Sequence, residues 1–371
     1  MSARRSFRAT GAVVLLLAGA GVVHAYPQFQ LRDAQTCTSC HLAPGGGGLL
    51  NGMGLSSAED LGQFESDAAV LHGAAAPPHW LTLGGDVRIA GGSLKGRTVH
   101  AAFFPMELDL RAAARAGAFS LYATVGGGMP NEDDPSTALL MTEHYVMWKQ
   151  RPGRSTGIFA RVGRFLPVYG LRLAEHTAYV RQFVTPLYSE SYGAALSYVS
   201  ERLEVHAGGF LHDPWRYSSE HGDGATIHAE LRLGEIFVVG GSGRHVVSDD
   251  DTRTSGGLIG KVAIRALDLV LSTEVDTVRQ TIAAGGARTQ TAAVLVASWF
   301  PHRSFMADVG VGRYDEDVDV DRLDREAVEL SVHWFTTSHV EVVWMNRVQT
   351  LAFGDDGPTT WFSLLQAHYR L

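Results

Sequence analysis

The residues with the clearest chemical meaning are Cys37-Thr38-Ser39-Cys40-His41. Two thiols three positions apart, followed at once by an imidazole, read C-x-x-C-H, the attachment signature of a c-type haem. The chemistry sets the spacing. Two thiols bond the two vinyl groups of one porphyrin, and the adjacent His41 then lies under the iron as proximal ligand. A local disulfide, a thioredoxin-like pair and half of a zinc site use the same residue types. A thioredoxin-like pair belongs beside a βαβ pattern, which the chain lacks. A structural zinc site takes four ligands, yet the chain has 2 Cys in all. An iron–sulfur cluster meets the same shortage. The pattern therefore predicts one covalent haem, with Cys37 and Cys40 as its thioether attachments and His41 as axial ligand.

The sixth iron ligand has two local candidates. Met53 follows His41 beyond Gly45–Gly48 and Leu49-Leu50-Asn51-Gly52. Those glycines permit a tight return of the chain over the haem, and methionine ligation raises the reduction potential relative to a second histidine. His72 is the alternative. It closes a helix predicted over 56–72, with Ser56 as N-cap, Glu59 completing a capping box and Gly73 at C′. Leu61, Phe64, Ala68 and Leu71 form one apolar face of that helix. A ligand donated by the rest of the chain, or an open position, also fits the sequence.

These residues need elements to position them. Arg4, Arg5 and Arg8, the apolar run 11–23 and Val23-His24-Ala25 read as a signal peptide over 1–25, with a mature chain from Tyr26. Covalent haem attachment takes place outside the cytoplasm, so export and motif agree. The chain has 371 residues, 45% hydrophobic and 19% charged, with a formal charge of −8. That composition excludes a disordered chain. Loss of three arginines and no acids takes the charge from −8 to −11, so nucleic acid is excluded as a partner. No apolar run after residue 25 reaches the ~18 residues of a membrane-spanning helix.

Residues 26–78 read as the haem segment, ending in the linker 73–78, GAAAPP. From residue 79 the periodicity changes from helical to alternating. Leu81, Leu83, Val87 and Ile89 alternate with Thr82, Gly84, Asp86 and Arg88. Phe104, Met106, Leu108 and Leu110 alternate with Glu107, Asp109 and Arg111. Ile227, Ala229 and Leu231 alternate with His228, Glu230 and Arg232, and Val328, Leu330 and Val332 with Glu329, Ser331 and His333. Polar residues of this kind do not face a dry core, so an apolar outside and a polar inside are predicted. The pattern divides 79–371 into sixteen strands whose connections alternate between short and long. Short turns fall near Gly117, Pro152, Ser200-Glu201, Gly234-Glu235, Ala266, Pro301-His302 and Thr336-Thr337. An even strand count with that asymmetry is the pattern of an all-β, sixteen-stranded antiparallel outer-membrane barrel, entered by its haem segment from the periplasmic side. Trp361, Leu365, Tyr369 and Leu371 share the outer face of the last strand, and Gln366, His368 and Arg370 the inner.

Several further sites follow from that barrel. The longest connection, Leu166 to Ser191, lies between the fifth and sixth strands, where sixteen-stranded porins hold the loop that folds into the lumen. Its Pro167–Arg172, Glu175-His176-Thr177 and Arg181 are expected to narrow the pore or brace the haem segment. His206, His228, His333 and His368 point inward among Glu204, Glu230, Arg232, Glu329 and Arg370, as a hydrated wall, a grip on haem propionates or a source of the missing ligand. Acidic runs at Glu132-Asp133-Asp134, Asp249–Asp251 and Asp315–Asp321 face outward on long loops, where they concentrate cations or contact lipid headgroups.

A signal peptide, one C-x-x-C-H segment and a sixteen-strand barrel in a single chain resemble the fused monohaem cytochrome c–porin family, which includes outer-membrane iron-oxidising cytochromes. Tyr26-Pro27 and Gly45–Gly48 with Leu50-Asn51 look like related haem-segment sequences. Only Cys37, Cys40 and His41 carry over residue by residue. The resemblance implies electron transfer through the haem, from an extracellular donor such as Fe(II) to a periplasmic electron-transfer protein. A passive porin with a haem-bearing plug or sensor is the alternative.

Overall fold

The computed structural model describes residues 26–33, 35–95, 99–127, 140–173, 177–186, 189–212, 222–320, 324–350 and 359–371. The predicted signal peptide, the run Glu132–Asp134, Glu175, His176 and Asp321 lie outside the described residues. Sixteen antiparallel strands close into one barrel, each paired with its neighbours in sequence and β1 with β16. They are β1 Leu81–Lys95, β2 Val99–Ala116, β3 Phe119–Gly127, β4 Leu140–Lys149, β5 Gly157–Phe165, β6 Ser191–Val199, β7 Leu203–Leu211 and β8 Asp223–Leu233. The second half is β9 Phe237–Val247, β10 Asp251–Ile264, β11 Leu269–Ile282, β12 Ala287–His302, β13 Phe305–Asp315, β14 Asp324–Phe335, β15 Val340–Thr350 and β16 Thr359–Arg370. Closure leaves no unpaired strand edge.

The wall is inside out relative to a water-soluble protein. Leu108, Leu121, Val162, Leu196, Ile227, Leu258, Val275 and Val328 are exposed on its outer face, whereas Arg111, Glu204, His228, Glu230, Lys261, Glu274, His333 and Glu341 are buried within it. Water would penalise that outer face by ~25 cal/mol for each Å² of apolar area. A bilayer removes the penalty, and an apolar exterior with a polar interior is the signature of a transmembrane barrel. Phe119, Tyr198, Phe237 and Trp299 stand exposed within a few residues of the short turns, as an aromatic girdle at that interface. No helix among the described residues is long and apolar enough to cross a membrane.

Two expectations about the wall need correction. The alternation in β2 breaks at Met106/Glu107, which are both buried, because the register against β1 shifts between Arg88↔Glu107 and Ile89↔Pro105. Pro105 has no N–H for the ladder, and a bulge absorbs the extra residue. Phe104 and Met106 therefore point inward, packing with Ala90, Met345, Phe362 and Leu364 instead of sharing a face with Leu108 and Leu110. The connections at the far end are also not uniformly long. Residues 248–250 and 283–286 are tight turns of extended hairpins, so Asp249–Asp251 caps a hairpin. Cross-strand pairing continues beyond the alternating residues because Thr252, Thr254, Thr281 and Thr289 keep good strand propensity there.

Residues 26–33 and 35–61 pack into the short-turn end of the barrel, and the stretch 63–73 covers the β14–β15 turn. Helix α1, Pro27–Arg32, starts on proline, whose fixed φ suits a first helical position. Its Leu31 is fully buried among Val238, Ala263, Val270, Phe300, Met306 and Phe335. Helix α2, Cys37–Cys40, carries a capping box from Thr36 and Ser39. Helix α3 spans Gly52–Leu61. Its N-cap lies five residues before the predicted Ser56, because the Asn51 side chain caps it by accepting from Met53 N and Gly54 N at 2.9 and 3.1 Å. It also ends at Gly62, where the predicted helix would run on to 72. From there Gln63 N and Phe64 N donate to Phe335 O and Thr336 O at 2.9 Å each, so the chain pairs with the end of β14. Phe64 is 58% exposed, off the apolar face assigned to it.

Candidate haem site

Helix α2 puts Cys37 and Cys40 one helical turn apart, and residues at i and i+3 share a helix face. Both are free thiols. Cys40 and His41 line a cavity of about 1340 Å³, counting the part open to solvent. Its walls come from the helices of the N-terminal segment on one side and from β1, β14, the β14–β15 turn and the chain end on the other. Leu50, Leu55, Leu61, Val70, Leu83, Phe335 and Leu371 make it largely apolar, while Arg111, Arg370, Asp33 and Asp86 supply charge.

The residues fit a covalently attached porphyrin. A c-type haem needs two thiols and an imidazole on one turn, an apolar slot for the macrocycle and cations for its propionates. The imidazole Nδ1 of His41 is a buried polar atom with no partner among the described residues. Burial, then the nearby Arg370 guanidinium, holds the His41 imidazole down at about 4, so it stays neutral as a metal ligand must. Cys37 departs from the simplest arrangement. Its side chain is 8% exposed and does not line the cavity; burial pushes its thiol up to about 12.

The local backbone explains the glycine run. Gly48 has φ +61, and a Cβ there would run into the hydroxyl of Tyr122, which accepts from Leu49 N at 3.4 Å. Gly48→Val is expected to loosen the segment by at least the ~1–2 kcal/mol of a left-handed non-glycine residue. Limited proteolysis of the folded protein, which reads cleavage within residues 26–78, checks this.

The candidate distal ligands sit elsewhere. Met53 is 56% exposed on the first turn of α3 and does not line the cavity. His72 is exposed, with Nε2 3.1 Å from the Tyr369 hydroxyl, and also lies outside the cavity lining. One residue without a sequence signal does line it: His339, 2% exposed, in the β14–β15 turn. It falls outside the strand alternation, so no periodicity marks it. The four inward histidines are buried as predicted but belong to the wall. His206 Nε2 is 2.7 Å from Glu204, His228 Nδ1 2.8 Å from Ser242, His333 Nδ1 2.9 Å from Glu341 and His368 Nε2 2.5 Å from Asp86.

A buried polar network ties three parts of the chain together. The connection from Leu166 enters the lumen: Tyr169 donates to Asp276 at 2.8 Å, Gly170 N to Ser242 at 3.0 Å and Leu171 N to Glu274 at 2.8 Å. Its Tyr169, Leu171, Leu173, Tyr179, Val180 and Val184 pack on Ile259, Val278, Val294 and Tyr314 of the wall. Arg172 Nη1 donates to Gly45 O at 3.0 Å and to Glu204 at 2.9 Å, which braces the N-terminal segment. Lys261 Nζ donates at 2.8 Å to Gln30 of α1 and at 2.8 Å to both oxygens of Glu230. A second network runs from Tyr26, whose hydroxyl donates to Glu341 at 2.6 Å, through His368 and Asp86 to Arg111, which is ion-paired with Asp86 and with Asp109 at 2.7 Å. Among the described residues no group of three His, Cys, Asp or Glu side chains is arranged to hold a metal ion.

No family model and no curated protein matches the chain. Solved structures do. OmpT of Vibrio cholerae aligns with a TM-score of 0.60 at 12% identity, over 80% of this chain and 99% of that one. OprB of Pseudomonas putida aligns at 0.58 and 12%, over 78% and 94%. An anion-selective porin from Comamonas acidovorans aligns at 0.57 and 11%, over 78% and 99%. At such identities the likeness concerns the fold, and the covered share is close to the share of this chain that forms the barrel. The chain is a closed sixteen-stranded antiparallel barrel with the fold of outer-membrane porins.

Proposed function

We propose that the chain is a porin-like barrel of the bacterial outer membrane that carries one covalent c-type haem at its periplasmic mouth, where it exchanges electrons with a periplasmic electron-transfer protein. The observation that supports this most directly is the cavity lined by Cys40 and His41 inside the short-turn end of the wall. Short turns face the periplasm in bacterial barrels. The group supplies reversible one-electron chemistry when bound. The chain's own residues do the rest: Cys37 and Cys40 anchor it, His41 orients it, the leucines exclude water, and Arg111 and Arg370 offer charge to its carboxylates. Lipids of the outer membrane are the partner of the apolar outer face.

A haem at the periplasmic mouth is separated from the cell exterior by a core about 30 Å thick. An extracellular donor, Fe(II) or another small reductant, must then come down the lumen. The acidic residues Asp249–Asp251, Asp315, Asp317 and Asp319 at the far end suit a cationic donor. The second reading, a passive porin stoppered by its N-terminal segment, is favoured by the likeness to porins. Intact cells treated with Fe(II) and with a larger membrane-impermeant reductant separate the two. Haem reduction before lysis by Fe(II) supports the conduit; reduction only after lysis leaves the porin reading.

A further inference from the structure

We propose that His339 of the barrel wall is the sixth ligand of the haem iron, so that the axial bonds of His41 and His339 bolt the N-terminal segment to the wall. The inference rests on the haem reading above. His339 and His41 line the same cavity, from the wall and from the N-terminal segment respectively. Neither Met53 nor His72 lines it, and the His72 ring lies 4.0 Å from the ring of His339, on which it packs.

The hydrogen bonds of His339 identify the ligating atom. Its Nδ1 is 2.6 Å from Arg370 O and its Nε2 is 2.6 Å from Asp67 O. A neutral imidazole donates from one nitrogen only, so a neutral ring satisfies one of these two carbonyls. The Arg370 carbonyl belongs to the last residue of β16, which pairs with Asp86 of β1 and whose N–H donates to His339 O at 2.7 Å. A backbone carbonyl on Nδ1–H is also the usual support of a metal-ligating histidine, because it fixes the tautomer and the ring orientation. The Asp67 carbonyl belongs instead to the covering stretch 63–73, where Leu71 and His72 both have positive φ. Non-glycine residues in that region are strained and persist where their surroundings impose them. Nε2 is therefore the nitrogen whose present neighbour can give way to iron.

The test is the spin state of the oxidised haem in the detergent-purified full chain, read by optical and electron paramagnetic resonance spectra. Wild type is expected to be low-spin with two imidazoles. His339→Ala is expected to be high-spin and to return to low-spin on addition of imidazole, with Met53→Leu and His72→Ala unchanged from wild type. Heat-dependent gel mobility confirms that each barrel is closed; where His339→Ala does not close, His339→Gln takes its place. A low-spin spectrum that survives His339→Ala or His339→Gln overturns the ligand assignment while the covalent haem stands. Wild-type protein with no covalent haem on a denaturing gel overturns the haem reading itself, and this inference with it.

Discussion

Cys37→Ala/Cys40→Ala is expected to give a closed barrel with no covalent haem at all. The sixteen strands pair without help from α2, so loss of the thiols leaves the wall intact. The two single variants are expected to differ. Cys40 lines the cavity and its thiol donates to Gln35 at 3.2 Å, with burial raising it and Ser57 lowering it; Cys37 is buried away from the cavity, and burial pushes its thiol up to about 12. The thiolate is the reactive form of cysteine, so the Cys37 bond forms under the less favourable condition. Cys37→Ala should thus retain a haem held by one thioether, and Cys40→Ala should retain less. Haem staining after denaturing electrophoresis gives the outcome. Covalent haem remaining in the double variant would remove the basis for assigning Cys37-Thr38-Ser39-Cys40-His41 to attachment.

The barrel was legible from the sequence because a wall between lipid and water writes its period into every strand. Thr226, His228 and Glu230 are buried, with Ile227 exposed between the first two and Leu231 exposed after the last, as the alternation of residue types predicts. Strand ends at the far side were less legible. The stretch Asp251–Ser255 is polar on both faces there, so no alternation announces that it still pairs with β9 and β11. The reversal at Pro105 was legible only as a proline inside a strand, since a bulge needs a partner register to define it.

The site divides in the same way. Cys37, Cys40 and His41 form a local motif whose spacing is its chemistry. The lumen loop was placed by its length and position, and the structure brings its Arg172 onto Gly45 of the N-terminal segment. His339 carries no such mark. It meets the cavity because the last turns of the wall and the N-terminal segment close over the same space, a contact between residues nearly three hundred positions apart. The error at α3 has a simple cause. Asn51 and Ser56 are both good caps, and Asn51 wins because its side chain reaches two free N–H groups while Gly62 stops the helix within three turns.

The second large effect belongs to Glu230. Its carboxylate accepts both bonds from Lys261, whose side chain is fully buried, and one at 3.4 Å from Arg172. Through those cations it holds Gln30 of α1 and Gly45 O in the lumen. Glu230→Leu leaves Lys261 and Arg172 as buried cations short of one carboxylate, at a cost of about 3–5 kcal/mol. The sixteen-strand ladder does not depend on that ion pair, so the cost falls on the docked segment as local opening. At tenfold for each ~1.4 kcal/mol, the open population rises by about two to three and a half orders of magnitude. Planar-bilayer conductance should then show larger and more frequent openings than wild type, and protease should cut within residues 26–78 of the folded barrel. Glu230→Leu/Lys261→Met removes the charge and its partner together, and is expected to recover most of the loss. Equal opening in the single and double variants would show that burial of the apolar residues, Leu31 above all, holds the segment in place, with the ion pair adding nothing to it.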